Sequence, residues 1–305
     1  MKLITYTQTD ETRLGAVLGE QVIDLAAASS NAGAAWASGK LNDMRTCLDH
    51  WDQTRPLIAD LLHRADTNQL NSQSIIPIEE VKIEAPLPNP GKIVCVGLNY
   101  ADHCREQGLE TPERPLLFAK FPSSVIGPEE AIFWSPEASS QVDYEAELGV
   151  VIGRRARRVP AEEALKYVAG YTNVNDISAR DVQFSDGQWI RGKSFDTFCP
   201  LGPYMVTADE IQNPQELPIR CTVNSRVLQD SSTAEMIFPV AEIIAYITRT
   251  STLNPGDVIC TGTPAGVGVF RDPKVFLHPG DVVEVEIGQL GALRNPVGNP
   301  PAAGG

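Results

Sequence analysis

Residues 142–153 read VDYEAELGVVIG, a segment that alternates at first and then runs apolar without a break. That pattern is a β-strand entering a core. Side chains two apart on a strand point to one face, so Glu145 and Glu147 project together. Like charges side by side at the mouth of a buried run need water or a counter-charge. The chain carries its own comparison in VVEVEIG, where Glu284 and Glu286 alternate with Val283, Val285 and Ile287. There one face packs inward and the acids face water. The same solvated reading applies to Glu145 and Glu147 taken alone; only their surroundings separate the two pairs.

Around this strand the chain reads as α+β, with antiparallel or mixed sheet and no alternating βαβ array. Residues 1–85 read as a small N-terminal α+β domain. KLITY and RLGAVLGEQVIDL are short antiparallel strands turning at Gly19-Glu20, and LNDMRTCLDHWDQTRPLIADLLHRA has helical spacing. APLPNPGK (85–92) is a proline-stiffened linker into a larger domain over 90–297, and GNPPAAGG (298–305) reads as a disordered tail. Within the larger domain KIVCVGLNY is a buried strand and NYADHCREQG a short helix that Gly108 caps. IRCTVNSRVLQD is a hairpin about Asn224-Ser225-Arg226.

A formal charge of −14 argues against non-specific nucleic-acid binding, which needs a basic footprint. The first residues lack the apolar core of a signal peptide, and no apolar run approaches the roughly 20 residues of a membrane span. Six cysteines (47, 95, 104, 199, 221, 260) include no CxxC pair, so free thiols in a reducing cytoplasm are expected and a zinc ribbon is excluded.

About thirty residues after Glu147, GYTNVNDISARDVQ places Asp176 where a strand ends and a helix begins. An N-cap is the ordinary role for such an aspartate. Brought together with the glutamates, it would complete an all-oxygen set suited to Mg²⁺ or Mn²⁺. His103 and Glu106 in HCRE share a helix face, which suits either a surface pair or an imidazole made more basic by a carboxylate. Lys193 in WIRGKSFDTFCP lies in an apolar context where an ammonium needs an anion, and Lys120 in LLFAKFPSS is read the same way. CTGTPAGVG (260–268) lacks the lysine and spacing of a phosphate loop. Its backbone N–H groups and the Thr263 hydroxyl could hold a carboxylate, or it is a tight turn. No cysteine sits in a nucleophile arrangement.

In their order and spacing, KIVCVGLNYADHCRE, VDYEAELGVVIG, YVAGYTNVNDISARDVQ, WIRGKSFDTFCPLGP, LNPGDVICTGTPAGVG and PGDVVEVEI…LRNPV resemble the fumarylacetoacetate hydrolase superfamily over about residues 90–297. The resemblance implies a mixed β-roll or sandwich catalytic domain, a homodimer, and Mg²⁺ or Mn²⁺ held by Glu145, Glu147 and Asp176. It implies a His103–Glu106 dyad on a mobile helical lid, Lys193 as the active-site lysine, and Arg180, Gln183 and Thr263 as substrate contacts; Lys120 joins these substrate contacts on its apolar context alone. Asp102 is left out of the metal shell, because the short members of the superfamily carry it without a ligand role. Gly97 and Gly108 are read as hinges of a segment, 99–112, ordered only with ligand.

The implied activity is C–C cleavage of a 2,4-dioxo acid of acylpyruvate or fumarylpyruvate type, or decarboxylation of oxaloacetate, through a metal-stabilised enolate. Alternatives are an isomerase or tautomerase of 2-hydroxyhepta-2,4-diene-1,7-dioate type, or an idle oxoacid-binding scaffold. The expected partner is a small oxoacid, with neither nucleic acid nor membrane.

Overall fold

The computed structural model describes residues 1–300; positions 301–305 of the expected disordered tail lie outside the described residues. The first strands, β1 (Lys2–Gln8), β2 (Glu11–Leu18) and β3 (Gln21–Asp24), form an antiparallel meander that turns at Thr9-Asp10 and at Gly19-Glu20. Helices α1 (Leu25–Asn31), α2 (Met44–Asp49) and α3 (Trp51–Asp66) follow, then β4 (Ile75–Pro77) and β5 (Lys82–Ile83). The single helix expected from residue 41 is thus two, the first capped by Asp43, whose carboxylate accepts from the Thr46 N–H.

The chain continues with β6 (Ile93–Gly97), α4 (Ala101–Gln107), β7 (Leu116–Lys120), β8 (Val125–Ile126), β9 (Val142–Asp143), β10 (Ala146–Ile152), α5 (Ala161–Ala164) and β11 (Val168–Asn175). It continues with β12 (Ser178–Ala179), α6 (Arg180–Asp186), α7 (Ile190–Lys193), β13 (Cys199–Thr207), β14 (Pro218–Val223) and β15 (Arg226–Ser232). The last elements are α8 (Val240–Thr250), β16 (Val258–Cys260), β17 (Val282–Ile287) and β18 (Ala292–Pro296). The expected hairpin is β14–β15, and Asn224 and Ser225 take the positive φ that a two-residue turn of this kind requires.

Twelve strands make one mixed sheet, in the order β4-β3-β2-β1-β13-β11-β10-β16-β6-β7, with β5 on β1 and β8 on β13. It is open at β4 and β7, so it is not a closed barrel. β1 pairs with β13, which makes the N-terminal meander continuous with the strands that follow residue 92. A second, antiparallel sheet has the order β15-β14-β17-β18.

β10 is apolar without alternation because both its faces are covered. Leu148, Val150 and Ile152 join a core shared with Ile219, Val283 and Val285 of the second sheet and with Ile243 and Ile244 of α8. Val151 faces a second core built from Leu41, Leu48, Trp51, Ile58 and Leu61 of the N-terminal helical segment. The large sheet is therefore the middle layer. Four of its chain segments meet at one end: the entry to β10 and the exits of β11, β16 and β6. Among the described residues no helix is long and apolar enough to cross a membrane.

Candidate active site

Glu145 lies one residue before β10 and Glu147 within it, while Asp176 follows the last residue of β11. The antiparallel register sets Ala146 against Asn175, and the Asp176 N–H donates to the Glu145 carbonyl oxygen at 2.9 Å. All three carboxyl groups offer an oxygen within 4.8 Å of the others, and all three are buried. Asp176 is not an N-cap: the residue before α6 is Ala179, which makes no side-chain cap. Glu284 and Glu286 take the bland role, half-buried and exposed on the outer face of β17.

Three buried cations surround this cluster. Lys193 Nζ donates to Glu145 Oε2 at 2.7 Å and to Asp176 Oδ2 at 2.8 Å. Arg180 donates from Nη2 to Glu145 Oε1 and from Nε to Asp143 Oδ1, both at 2.6 Å, and from Nη1 to Gln183 Oε1 at 3.0 Å. Lys120 Nζ donates to Asp176 Oδ1 at 2.5 Å and to the carbonyl oxygen of Lys193. Burial would raise the Glu145 carboxyl, but the Lys193 ammonium and the Arg180 guanidinium outweigh it and hold it well below the usual range. Burial would likewise depress Lys193, and Asp176 and Glu145 raise it instead. Burial pushes Asp143 up to about 6 even against Arg180.

Four buried carboxylates, Asp143, Glu145, Glu147 and Asp176, thus face three cations, and the excess charge falls on Glu147. Glu147 is 1% exposed, and its carboxylate accepts a bond from the Gly262 N–H at 2.9 Å. Burial, then Asp176, then Glu145 push it well above the ordinary carboxylate range. A divalent cation fits this deficit: the donors are hard oxygens, and an added positive charge offsets the one carboxylate that no lysine or arginine pairs with among the described residues.

His103 and Glu106 lie on α4, with His103 Nδ1 and Glu106 Oε2 3.0 Å apart. Bonding to a carboxylate fixes the proton on Nδ1 and leaves Nε2 to exchange one. The helix ends where Gly108 adopts φ 66°, the left-handed cap expected of it. Gly97 has a different reason to be glycine from the hinge role expected of it. Its φ is ordinary, and a Cβ there would run into the Trp189 ring. Asp102 stands outside the carboxylate cluster; it accepts from the His103 N–H and from the Ser231 hydroxyl, each at 2.7 Å.

These groups line a cavity of about 150 Å³, bounded by His103, Glu145, Glu147, Arg180, Gln183, Lys193 and Thr263 and roofed by Leu98, Leu109, Phe118, Phe184, Trp189 and Phe270. That is small beside the ~300–1,000 Å³ of drug-sized pockets, so it suits a short substrate. Lys120, expected on the substrate side, is instead behind Asp176 and outside the cavity wall. A larger cleft of about 300 Å³ beside α3 is lined by Trp51, Arg55 and Arg154 and has no such constellation.

Several supporting residues escape the sequence reading. Asp143 extends the carboxylate spacing to D-x-E-x-E and anchors Arg180, and that spacing was its available signal. Asn175 Oδ1 accepts from the Glu145 N–H, and Gln229 ties Ala146 N to Thr263 Oγ1 across the site. Nothing local marks Gln229, because its partners are distant in the chain.

The family model for the fumarylacetoacetate (FAA) hydrolase C-terminal domain matches residues 92–298. The chain is 50% identical over 229 residues to oxaloacetate tautomerase fahd2, mitochondrial, of Xenopus laevis, covering 74% of this chain and 72% of that protein. The fumarylacetoacetate hydrolase of psychrophilic Exiguobacterium antarcticum superposes with TM-score 0.82 at 32% identity, over 98% of this chain and 100% of that one. The 2-hydroxyhepta-2,4-diene-1,7-dioate isomerase of Mycobacterium marinum does so with TM-score 0.73 at 31% identity, over 98% of each chain. With the E-x-E pair and the later aspartate at the end of the large sheet, and His103 of the helical dyad on the wall of the same cavity as the glutamates, the chain belongs to the fumarylacetoacetate hydrolase family.

Proposed function

We propose that the chain is a metal-dependent keto–enol tautomerase of a short 2-oxo dicarboxylate of the oxaloacetate type. The observation that carries this reading is the isolation of His103. Glu145, Arg180 and Lys193 hold one another in ion pairs, and Glu147 is held by Gly262 N–H, which leaves one imidazole on the cavity wall free to move a proton. Tautomerisation asks for that and no more: a proton leaves C3 or the enol oxygen and is returned at the other position. His103 Nε2 accepts and returns it while Glu106 steadies the imidazolium. Lys193 uses two of its three N–H donors on carboxylates and lines the cavity, so its third is available to the developing enolate oxygen. Gln183 engages Arg180 through Oε1, which leaves its amide N–H groups for a substrate carboxylate. A divalent cation held by Glu145, Glu147 and Asp176 would supply Lewis acidity that makes the C3 proton easier to remove. The oxaloacetate tautomerase name of the frog relative and the isomerase name of the mycobacterial structure support the same reaction class.

Hydrolytic C–C cleavage is the second reading, favoured by the same dyad, which could activate a water. Decarboxylation needs the same enolate stabilisation. Product analysis separates the three. Enol-oxaloacetate should lose its ultraviolet band while total oxaloacetate, followed by NMR, stays constant. Pyruvate appearing as fast as the enol disappears would make the chain a decarboxylase, and acetate plus pyruvate from acetylpyruvate a hydrolase. We further read the working form as a homodimer, to be tested by sedimentation. The compartment is read as reducing, on the six free and buried cysteines.

A further inference from the structure

The dyad is held by more than its two members. Glu106 Oε1, the oxygen that His103 does not use, accepts from the Gly266 N–H at 2.9 Å. Gly266 belongs to the loop after β16, remote in sequence from α4. Its φ is 106°, and a Cβ there would run into the carbonyl oxygen of Leu228, so the loop is pressed against β15 at a point where only glycine fits. The carbonyl oxygen of the same residue accepts from the Tyr144 hydroxyl at 3.1 Å and from Arg271 Nε at 3.0 Å. Arg271 Nη2 also donates to the Leu228 carbonyl oxygen, so one guanidinium clamps the loop to the strand beneath it.

We propose that the Gly266 N–H is a third member of the acid–base unit, and that Tyr144 and Arg271 are positioning residues that aim it. This rests on the reading of His103 and Glu106 as the proton-transfer pair. A carboxylate anchored through one oxygen alone can turn about its last side-chain bond. Anchored through both, it presents a fixed lone pair to His103 Nδ1 and keeps the imidazole in one tautomer. The Gly266 N–H makes that second anchor. Its direction is set by the backbone on the far side of its own Cα, where Tyr144 and Arg271 hold the carbonyl. Tyr144 also directly precedes Glu145, so the chain that carries a carboxylate of the cation cluster also braces the loop that aims the base.

The test uses the whole protein carrying Tyr144→Phe or Arg271→Gln. The first removes one hydroxyl from a buried ring and leaves its shape, so folding, checked by circular dichroism, survives. The expected result is a fall in kcat on the order of 10-fold, with KM and Mn²⁺ affinity unchanged. The ¹⁵N ring resonances of His103, assigned by His103→Asn, should shift from a single Nδ1–H tautomer to a mixture. In a Glu106→Gln background neither substitution should lower kcat further. His103 resonances identical to those of the parent protein in both folded variants would overturn the proposal, whatever happens to kcat. If the parent protein turns over no oxoacid yet the resonances shift as expected, the tautomerase reading fails and the positioning role stands.

Discussion

Glu147 and Gly262 are joined by one hydrogen bond, from the glycine N–H to Oε2 at 2.9 Å, in a cluster where the other carboxylates each face a lysine or an arginine. Glu147→Gln should therefore remove Mn²⁺ binding, read by electron paramagnetic resonance, while leaving the metal-free protein folded. Glu284→Gln, the same change on the outer face of β17, should alter neither metal affinity nor stability by more than about 0.5 kcal/mol. Equal effects at the two positions would dissolve the distinction between them.

Cation uptake should be coupled to proton release. The folded-state pKa of Glu147 is raised above its unfolded value, so between the two the folded chain binds more protons than the unfolded one. Stability of the metal-free protein therefore falls as pH rises through that window. Asp143, pushed up to about 6, acts in the same direction. Glu145, held low, contributes stability that is lost only as pH falls below the ordinary carboxylate range. The metal-free protein should melt higher at pH 5 than at pH 7.5, by scanning calorimetry, and the gap should narrow in Glu147→Gln and under saturating Mn²⁺. A gap of the same size in all three samples would refute the coupling.

The two buried lysines should behave differently. Lys193 reaches Glu145 and Asp176 and lines the cavity, so Lys193→Met should lower kcat by roughly 10²–10³, the cost of removing a donor to a developing oxyanion. Lys120 backs Asp176 from outside the cavity, so Lys120→Met should act first on stability. Breaking a buried pair costs roughly 3–5 kcal/mol, and the lower end is expected because Asp176 keeps Lys193. Urea unfolding alongside kinetics sorts the two, and a Lys120 variant of full stability with lost turnover would reverse their roles.

Seating of α4 should depend on ligand. Among the described residues its side-chain ties to remote segments are the hydrogen bonds of Asp102 to Ser231, Arg105 to Glu235 and Glu106 to Gly266, and the His103 ring against Phe270. Hydrogen exchange of amides 101–107 should slow when Mn²⁺ and oxalate, which carries the paired oxygens of a 2-oxo acid, are added together. Identical exchange with and without them would make α4 a fixed wall.

Much of the site was legible because its residues obey local rules. The E-x-E spacing, the i,i+3 dyad and the aspartate at a strand exit are each visible within a dozen residues, and their order along the chain carried the family resemblance. The central position of β10 was legible in its unbroken apolar run. What escaped depends on contacts between distant segments. Lys120 and Lys193 read alike in sequence, each a lysine among apolar neighbours, and only the packing of β7 behind Asp176 tells them apart. The pairing of β1 with β13 joins residues about two hundred apart, which no periodicity marks. Gly97 read as a hinge because glycine is permissive, whereas the Trp189 ring that requires it lies in another element.

In the proposed function, Glu145, Glu147 and Asp176 would hold a divalent cation on which the chemistry of an oxoacid enol depends. The most direct test is the rate at which enol-oxaloacetate decays with purified protein in EDTA and again after Mn²⁺ is restored. The expected result is decay at the uncatalysed rate in EDTA and full recovery with Mn²⁺. Catalysed decay that persists unchanged in EDTA, with no metal retained by the protein, would contradict it.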